Sequence, residues 1–148
     1  MKKYLVVILL AIVSGSILAF FTFKNYTVDA LSKRDAYLFQ VGVFKSEKNA
    51  LKRTNSFSSS VMILENDYYH VYTHIFTNKS LAEIIKKYYD ENDIKYYLKK
   101  IVIDENLYEE ISEYQELLLD TNDIEKINKS SQNLLNIYKN YMEISNEK

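Results

Sequence analysis

The sequence contains no cysteine, no proline and no tryptophan, and it has only two glycines among its 148 residues. The absence of cysteine excludes disulfide bonds, thiolate catalysis and Cys-based zinc sites, and it leaves the redox compartment undecided. Charged residues make up 26% of the chain and hydrophobic residues 47%, which is typical of a globular protein and argues against wholesale disorder. The length suits one compact domain with an extension.

Charge is divided unevenly along the chain. Residues 24–103 carry 13 Lys and Arg against 9 Asp and Glu, a net charge of +4. Residues 104–148 carry 4 against 11, a net charge of −7. Neither part is charged strongly enough to indicate a protein that binds the phosphate backbone of nucleic acids.

The N-terminus predicts a membrane anchor. Tyr4 to Phe23 is a run of 20 uncharged residues, long enough to cross a bilayer as a helix. Lys2 and Lys3 precede this run, so the chain after it is expected to lie outside the cytoplasm. A cleaved signal peptide is the alternative, because residues 14–19 (SGSILA) include small residues near a possible cleavage site. The prediction is a single-pass protein of the cell membrane: an anchor at 1–23, a linker at 24–35 and an extracytoplasmic remainder.

Residues 36–103 predict alternating strands and helices. Strands are expected at 37–44, 60–65, 68–75 and 94–103, and helices capped by Ser46 and Asn78 at 46–57 and 78–89. Asn66-Asp67 is a turn signal between the second and third strands. Residues 37–50 (YLFQVGVFKSEKNA) and 69–82 (YHVYTHIFTNKSLA) repeat each other at an offset of 32 residues. The predicted fold is α+β: a β-α-β-β-α-β split βαβ (ferredoxin/RNP-like) four-stranded antiparallel sheet, with two helices on one face and the other face open.

The alternation of side chains along a strand assigns residues to the two faces. In the third strand His70, Tyr72 and His74 share a face, and Tyr69, Val71, Thr73 and Ile75 share the buried one. The repeat then places Leu38, Gln40 and Gly42 on the open face beside the histidines. This arrangement predicts a binding surface, although a solvated sheet face in a tyrosine-rich chain has the same composition.

These residues resemble the SPOR (sporulation-related repeat) domains. The QVGVF of residues 40–44 is similar to the family's Gln-x-Gly-x-Phe core, and residues 69–72 (YHVY) resemble its aromatic-x-Val strand. Residues 96–100 (YYLKK) resemble the end of the family module, so the resemblance covers about 36–103. The sequence departs from the family pattern at His74, where a glycine is usual, and at Val43, where a small and often hydroxyl-bearing residue is common.

The resemblance implies binding of peptidoglycan, especially glycan strands without stem peptides, at a division or sporulation septum. It implies no reaction, no cofactor and no metal. In that family the ligand lies along the open face of the sheet. The corresponding residues here are Gln40, Tyr68, His70, Tyr72, Tyr97 and Lys99, with Leu98 as an alternative in the fourth strand. The residues agree with this chemistry, because tyrosine rings pack on sugar rings and an amide both donates and accepts hydrogen bonds.

Other chemistries have little support in the sequence. His70 and His74 are about 13 Å apart along a strand, too far to share one zinc ion. No Ser-His-Asp context, P-loop or HExxH motif is present, so an enzyme is not expected. Export and the missing RNP1 pattern argue against RNA, which other proteins of this fold bind on their sheet aromatics.

Residues 104–148 predict an acidic helical extension. Two helices are expected, at 105–119 and 123–144, with Asn122 and Glu125 as a capping box. Each carries an apolar stripe. The stripes consist of Leu107, Ile111, Tyr114 and Leu118 in the first helix, and Ile124, Ile127, Leu134, Tyr138 and Tyr141 in the second. They predict either a hairpin packed on itself or on the domain, or a helix that binds a protein partner or associates with a second copy of the chain.

Overall fold

A computed structural model describes residues 33–146 of the chain. The predicted anchor and most of the predicted linker lie outside this range. Within residues 33–146, no helix combines the length and the apolar character that crossing a membrane requires. Of these, residues 34–146 belong to one compact unit.

The described residues form an α+β fold with a four-stranded antiparallel sheet and four helices, so this level of the fold prediction is confirmed. The strands lie in the order β2-β3-β1-β4 across the sheet. In chain order the elements are β1 (Lys33–Phe44), α1 (Glu47–Thr54), β2 (Val61–Glu65), β3 (Tyr68–Phe76), α2 (Lys79–Glu91), β4 (Tyr97–Asp104), α3 (Glu105–Glu116) and α4 (Ile124–Asn146).

β1 begins at Lys33, three residues before the predicted domain boundary at residue 36. Two contacts, one with β4 and one with the start of α3, hold its first residues. Two nitrogens of the Arg34 guanidinium, Nε and Nη2, donate three hydrogen bonds to the Glu105 carboxylate, and Lys100 Nζ lies 2.7 Å from Asp35 Oδ2. Residues 33–35, which lack a clear apolar pattern, are therefore strand rather than linker.

The internal repeat has a structural counterpart in the pairing of β1 with β3. Tyr37 lies opposite Phe76, and Phe44 lies opposite Tyr69. These two pairs are related by the repeat, because Tyr37 corresponds to Tyr69 and Phe44 to Phe76. The two equivalent helix alanines, Ala50 and Ala82, are both buried. The repeated halves thus pair with each other at the centre of the sheet.

An irregularity in β1 changes the predicted assignment of faces. The register shifts on both sides of Gln40, as at a β-bulge. Leu38 lies opposite Ile75 and Gly42 opposite Val71, so both belong to the face that was predicted to be buried. Gln40 lies opposite Tyr72 and therefore shares the face of the histidines, as predicted. The placement of Leu38 and Gly42 on the face of the histidines was wrong, because strict alternation does not hold through a bulge.

The turn and one of the two predicted helix caps are confirmed. Asn66 and Asp67 have φ of 49° and 66°, the left-handed conformation that tight hairpins require. Asn78 Oδ1 accepts hydrogen bonds from the backbone N–H groups of Ser80 and Leu81 at the start of α2. Ser46 lies at the N-cap of α1, but its side chain makes no capping hydrogen bond.

The C-terminal helices begin and end close to their predicted positions. Asp123, rather than Asn122, caps α4, since its Oδ1 accepts hydrogen bonds from the N–H groups of Glu125 and Lys126. Tyr114 was predicted in the apolar stripe of α3, but it is exposed. Ser131, which interrupts the stripe of α4, is fully buried and donates its hydroxyl hydrogen to the Ile127 carbonyl.

The two C-terminal helices belong to the same core as the sheet. Buried apolar side chains of α3, α4 and their connection join those of the strands, and they are Leu107, Ile111, Leu118, Ile127, Leu134, Leu135 and Tyr138. Gln115 of α3 accepts hydrogen bonds from the backbone of Thr77 and Asn78 at the end of β3. The extension is therefore packed on the domain, one of the two predicted alternatives.

Candidate functional site

Helix α4 covers part of the sheet face that was predicted to be open. His74 and Tyr72 are each 1% exposed. His74 Nε2 lies 2.9 Å from Asn128 Oδ1, and the Tyr72 ring packs edge-on against Tyr138 with centroids 6.1 Å apart. The prediction of an open face is wrong for this part of the sheet, and Tyr72 is not accessible to a ligand while α4 is in place.

Beyond α4, the same face carries a group of polar side chains that the structure brings together. They are Gln40, Glu65, His70, Tyr72 and Lys99, called here the Gln40 cluster. Gln40 Oε1 and His70 Nδ1 are 3.2 Å apart, and the His70 ring stacks on the Tyr72 ring with centroids 6.0 Å apart and 15° between planes. Gln40, His70 and Lys99 are partly exposed. Three predicted site residues thus meet on the uncovered part of the sheet.

Tyr72 is the buried member of the cluster, and its hydroxyl joins two of the other members. Its hydroxyl donates a hydrogen bond of 2.9 Å to Glu65 Oε1 and accepts one of 3.3 Å from Lys99 Nζ. Burial, together with the Glu65 carboxylate, raises the pKa of Tyr72, so the phenol stays protonated and remains a donor. The Lys99 ammonium also lies 5.4 Å from the centre of the Tyr72 ring. Tyr72 therefore orients Lys99 and Glu65 rather than presenting its own ring.

His70 is electrically neutral at neutral pH. Partial burial is the main cause that lowers the pKa of its imidazole, and the Lys99 cation adds to it. The neutral ring donates Nδ1–H to Gln40 Oε1, which leaves His70 Nε2 as an acceptor. Within residues 33–146 the Gln40 amide nitrogen makes no hydrogen bond. The pair thus offers one donor group and one acceptor to an uncharged polar ligand.

The two remaining predicted residues lie outside the cluster. Tyr68 is 39% exposed and shares the face of His70, which is two residues further along β3. The Lys45 ammonium lies 5.7 Å from the centre of its ring. Tyr97 is 62% exposed, two residues before Lys99 in β4. Both rings are accessible, so they add aromatic surface at the margins of the cluster.

Glu65 is the member of the cluster that the sequence prediction missed. It is the last residue of β2 and lies opposite Tyr68 across the hairpin. The Asn66-Asp67 turn signal was sufficient to place it there, since a two-residue turn pairs the residues on either side of it. No local motif in the sequence distinguishes Glu65 from the other acidic residues of the chain.

A separate cavity of about 500 Å³ lies elsewhere in the fold. It is lined by residues of α1, the α1–β2 loop, β3, the end of α2, the α2–β4 turn and α4, among them Arg53, Phe57, His74, Tyr88 and Asn128. Its size is in the range of small-ligand pockets. None of the six predicted site residues lines it. Among the described residues no group of three His, Asp or Glu side chains has a geometry that could hold a metal ion.

Comparison of the chain with models of protein families, with curated proteins and with solved structures returns no match. The resemblance to SPOR domains therefore stays a prediction from the motifs.

Proposed function

We propose that this protein binds peptidoglycan glycan strands stripped of stem peptides, without catalysing a reaction, and that the Gln40 cluster is the binding surface. An N-terminal anchor holds the domain outside the cell membrane, where a division or sporulation septum supplies such strands. The observation that carries the proposal is the contact of Gln40 with His70 on an uncovered part of the sheet. These are two of the residues that the SPOR resemblance implies as ligand contacts.

The chemistry of the surface suits an uncharged sugar chain. The Gln40 amide donates hydrogen bonds and neutral His70 accepts them, as hydroxyl and N-acetyl groups require. The exposed rings of Tyr68 and Tyr97 can pack on the apolar faces of sugar rings. Lys99 and Glu65 are both hydrogen bonded to Tyr72, so their opposite charges offset each other locally.

Helix α4 limits the surface that a glycan strand can occupy. Since Tyr72 and His74 are buried beneath it, the ligand lies across the end of the face that carries Gln40, Tyr68 and His70. A short stretch of sugar units is therefore contacted, and the affinity depends on a few residues.

Sedimentation with isolated sacculi tests the proposal. Residues 33–148 should sediment with sacculi, more strongly after amidase treatment has removed the stem peptides. Gln40→Ala and Tyr68→Ala should each weaken this binding about tenfold, the cost of one lost hydrogen bond or ring contact. Leu64→Ala is the control, because Leu64 is an exposed apolar residue that lies opposite Tyr69, on the other face of the sheet from Tyr68. Equal binding by all four proteins, or binding by none, would refute the proposal.

A scaffold protein is the second candidate function, in which the domain binds a protein of the cell envelope. The observation that favours it is the cover of α4 over the predicted glycan-binding face. Septal localisation in cells separates the two functions. A Gln40→Ala/Tyr68→Ala variant should lose its localisation if glycan recruits the protein, and should keep it if a protein partner does.

A further inference from the structure

The end of the α3–α4 hairpin exposes large apolar side chains. Leu117 is 80% exposed, the highest value among the large apolar residues of the described chain. Tyr114 and Leu119 are half exposed beside it in sequence. These three residues, with Glu113 and Glu116, are called here the tip surface. Exposed apolar patches that are bordered by polar residues mark interaction sites.

The tip surface has no positive charge of its own. Residues 104–125 contain nine Asp and Glu and no Lys or Arg. Of these acids only Glu105 forms a salt bridge within residues 33–146, and its partner is Arg34. Glu113 and Glu116 are exposed, and neither forms a salt bridge in the described part of the chain. A partner for this surface therefore has to be basic as well as apolar.

Helix α1 carries a surface of that kind. Lys48, Leu51 and Lys52 follow the i, i+3, i+4 spacing, so they lie on one side of the helix. All three are exposed, and neither lysine forms a salt bridge within the described part of the chain. These three residues are called here the α1 surface. No hydrogen bond or salt bridge joins it to the tip surface of the same chain.

We propose that the tip surface of one copy of this protein docks on the α1 surface of a second copy. Leu117 would then pack on Leu51, with Glu113 and Glu116 facing Lys48 and Lys52. Because the two surfaces differ, the contact is heterologous: one copy keeps a free α1 surface and the other keeps a free tip surface. The copies consequently form a head-to-tail chain rather than a closed two-fold dimer. This assembly does not depend on glycan binding, since neither surface includes a residue of the Gln40 cluster.

Analytical ultracentrifugation of residues 33–148 tests the assembly. This range is suitable because every residue of the described core lies between Ala36 and Met142. The mean mass should rise with protein concentration beyond that of a dimer, and it should fall towards the monomer at high ionic strength, which screens exposed charge pairs. Leu117→Ser should weaken association at least about tenfold without lowering the unfolding temperature, because the side chain is exposed.

Charge reversal identifies the partner surface. Glu113→Lys/Glu116→Lys and Lys48→Glu/Lys52→Glu should each be monomeric, because each places like charges in contact. An equimolar mixture of the two variants should associate again, since each then supplies the opposite charge. Lys79→Glu/Lys95→Glu changes the net charge equally at other exposed lysines and should associate like the unchanged protein.

Three results would overturn the proposal. The first is a protein that stays monomeric at millimolar concentration and low ionic strength. The second is association that both charge-reversal variants retain. The third is a mixture of the two variants that stays monomeric.

Discussion

At the scale of the single residue, His74 shows how a predicted ligand-face residue became part of the core. Its Nε2–H donates to Asn128 Oδ1 at 2.9 Å, and its Nδ1 accepts from the Tyr89 hydroxyl at 3.2 Å. Both ring nitrogens of the neutral imidazole are therefore satisfied. Complete burial lowers the pKa of His74 to about 4, because it disfavours the charged form.

This burial predicts a stability that depends on pH. The unfolded chain takes up a proton on His74 near its ordinary pKa of about 6.5, and the folded protein does so only near 4. The free energy of unfolding should therefore decrease as the pH falls between these values, by up to about 3 kcal/mol. Urea unfolding over this pH range measures it. In His74→Phe the decrease should be smaller by this amount, and an identical pH dependence in both proteins would contradict the assignment.

At the scale of the element, the two halves of the repeat differ in how their helices begin. Asn78 satisfies two N–H groups of α2, whereas Ser46 satisfies none with its side chain. Equivalent sequence positions thus have unequal roles. The pattern that places a polar residue before each helix predicted both caps, but the rotamer of the side chain decides whether the hydrogen bonds form.

The matched substitutions Asn78→Ala and Ser46→Ala measure this difference. Asn78→Ala should lower the free energy of unfolding by about 1 kcal/mol, because two N–H groups at the start of α2 lose their acceptor. Ser46→Ala should change it by less than about 0.5 kcal/mol. Chemical denaturation of both variants provides the comparison. Equal losses would show that Ser46 also caps its helix in solution.

At the scale of the whole molecule, the C-terminal helices complete the fold. The buried residues Ile111, Ile127, Leu134 and Leu135 are fully inaccessible to solvent in the same core as the sheet. The boundary near residue 104 separates the sheet and its first two helices from the last two helices in sequence. It does not separate two hydrophobic cores. A protein reduced to the part that resembles a SPOR domain would expose the apolar residues that α3 and α4 cover.

Truncation tests this dependence. Residues 33–104 should lack a cooperative thermal transition and should bind a hydrophobic dye, because the covering helices are gone. Residues 33–148 should unfold in one cooperative transition, measured by circular dichroism. A truncated protein that unfolds as cooperatively as the longer one would show that the sheet and its first two helices are independently stable.

Local patterns in the sequence were sufficient for the strands, the turn and the order of elements. Alternation indicated β3, the Asn66-Asp67 pair indicated its hairpin, and the repeat indicated the β-α-β-β-α-β order. The bulge at Gln40 and the burial of Tyr72 could not be predicted in this way. Both depend on contacts between distant segments. An apolar stripe on α4 shows that something must cover it, but the stripe does not specify the face of the sheet that does so.

The same limit applies to the candidate site. The prediction that Gln40 and His70 lie side by side on one face is confirmed, because this placement depends only on the pairing of two neighbouring strands. Tyr72 was assigned to the ligand on the same argument, and α4 occupies that position instead. A face assignment predicts which residues are neighbours, whereas exposure depends on all the segments that pack on the face.

Nuclear magnetic resonance during titration with peptide-free glycan strands tests the central claim most directly, because it reports each residue separately. We predict shifts at Gln40, Tyr68, His70, Tyr97 and Lys99, while the signals of His74 beneath α4 and of Asn128 on α4 stay unchanged. Shifts at His74 and Asn128 would show that the ligand displaces α4 and uses the covered face. The absence of shifts in the Gln40 cluster at saturating glycan would contradict glycan binding at this surface.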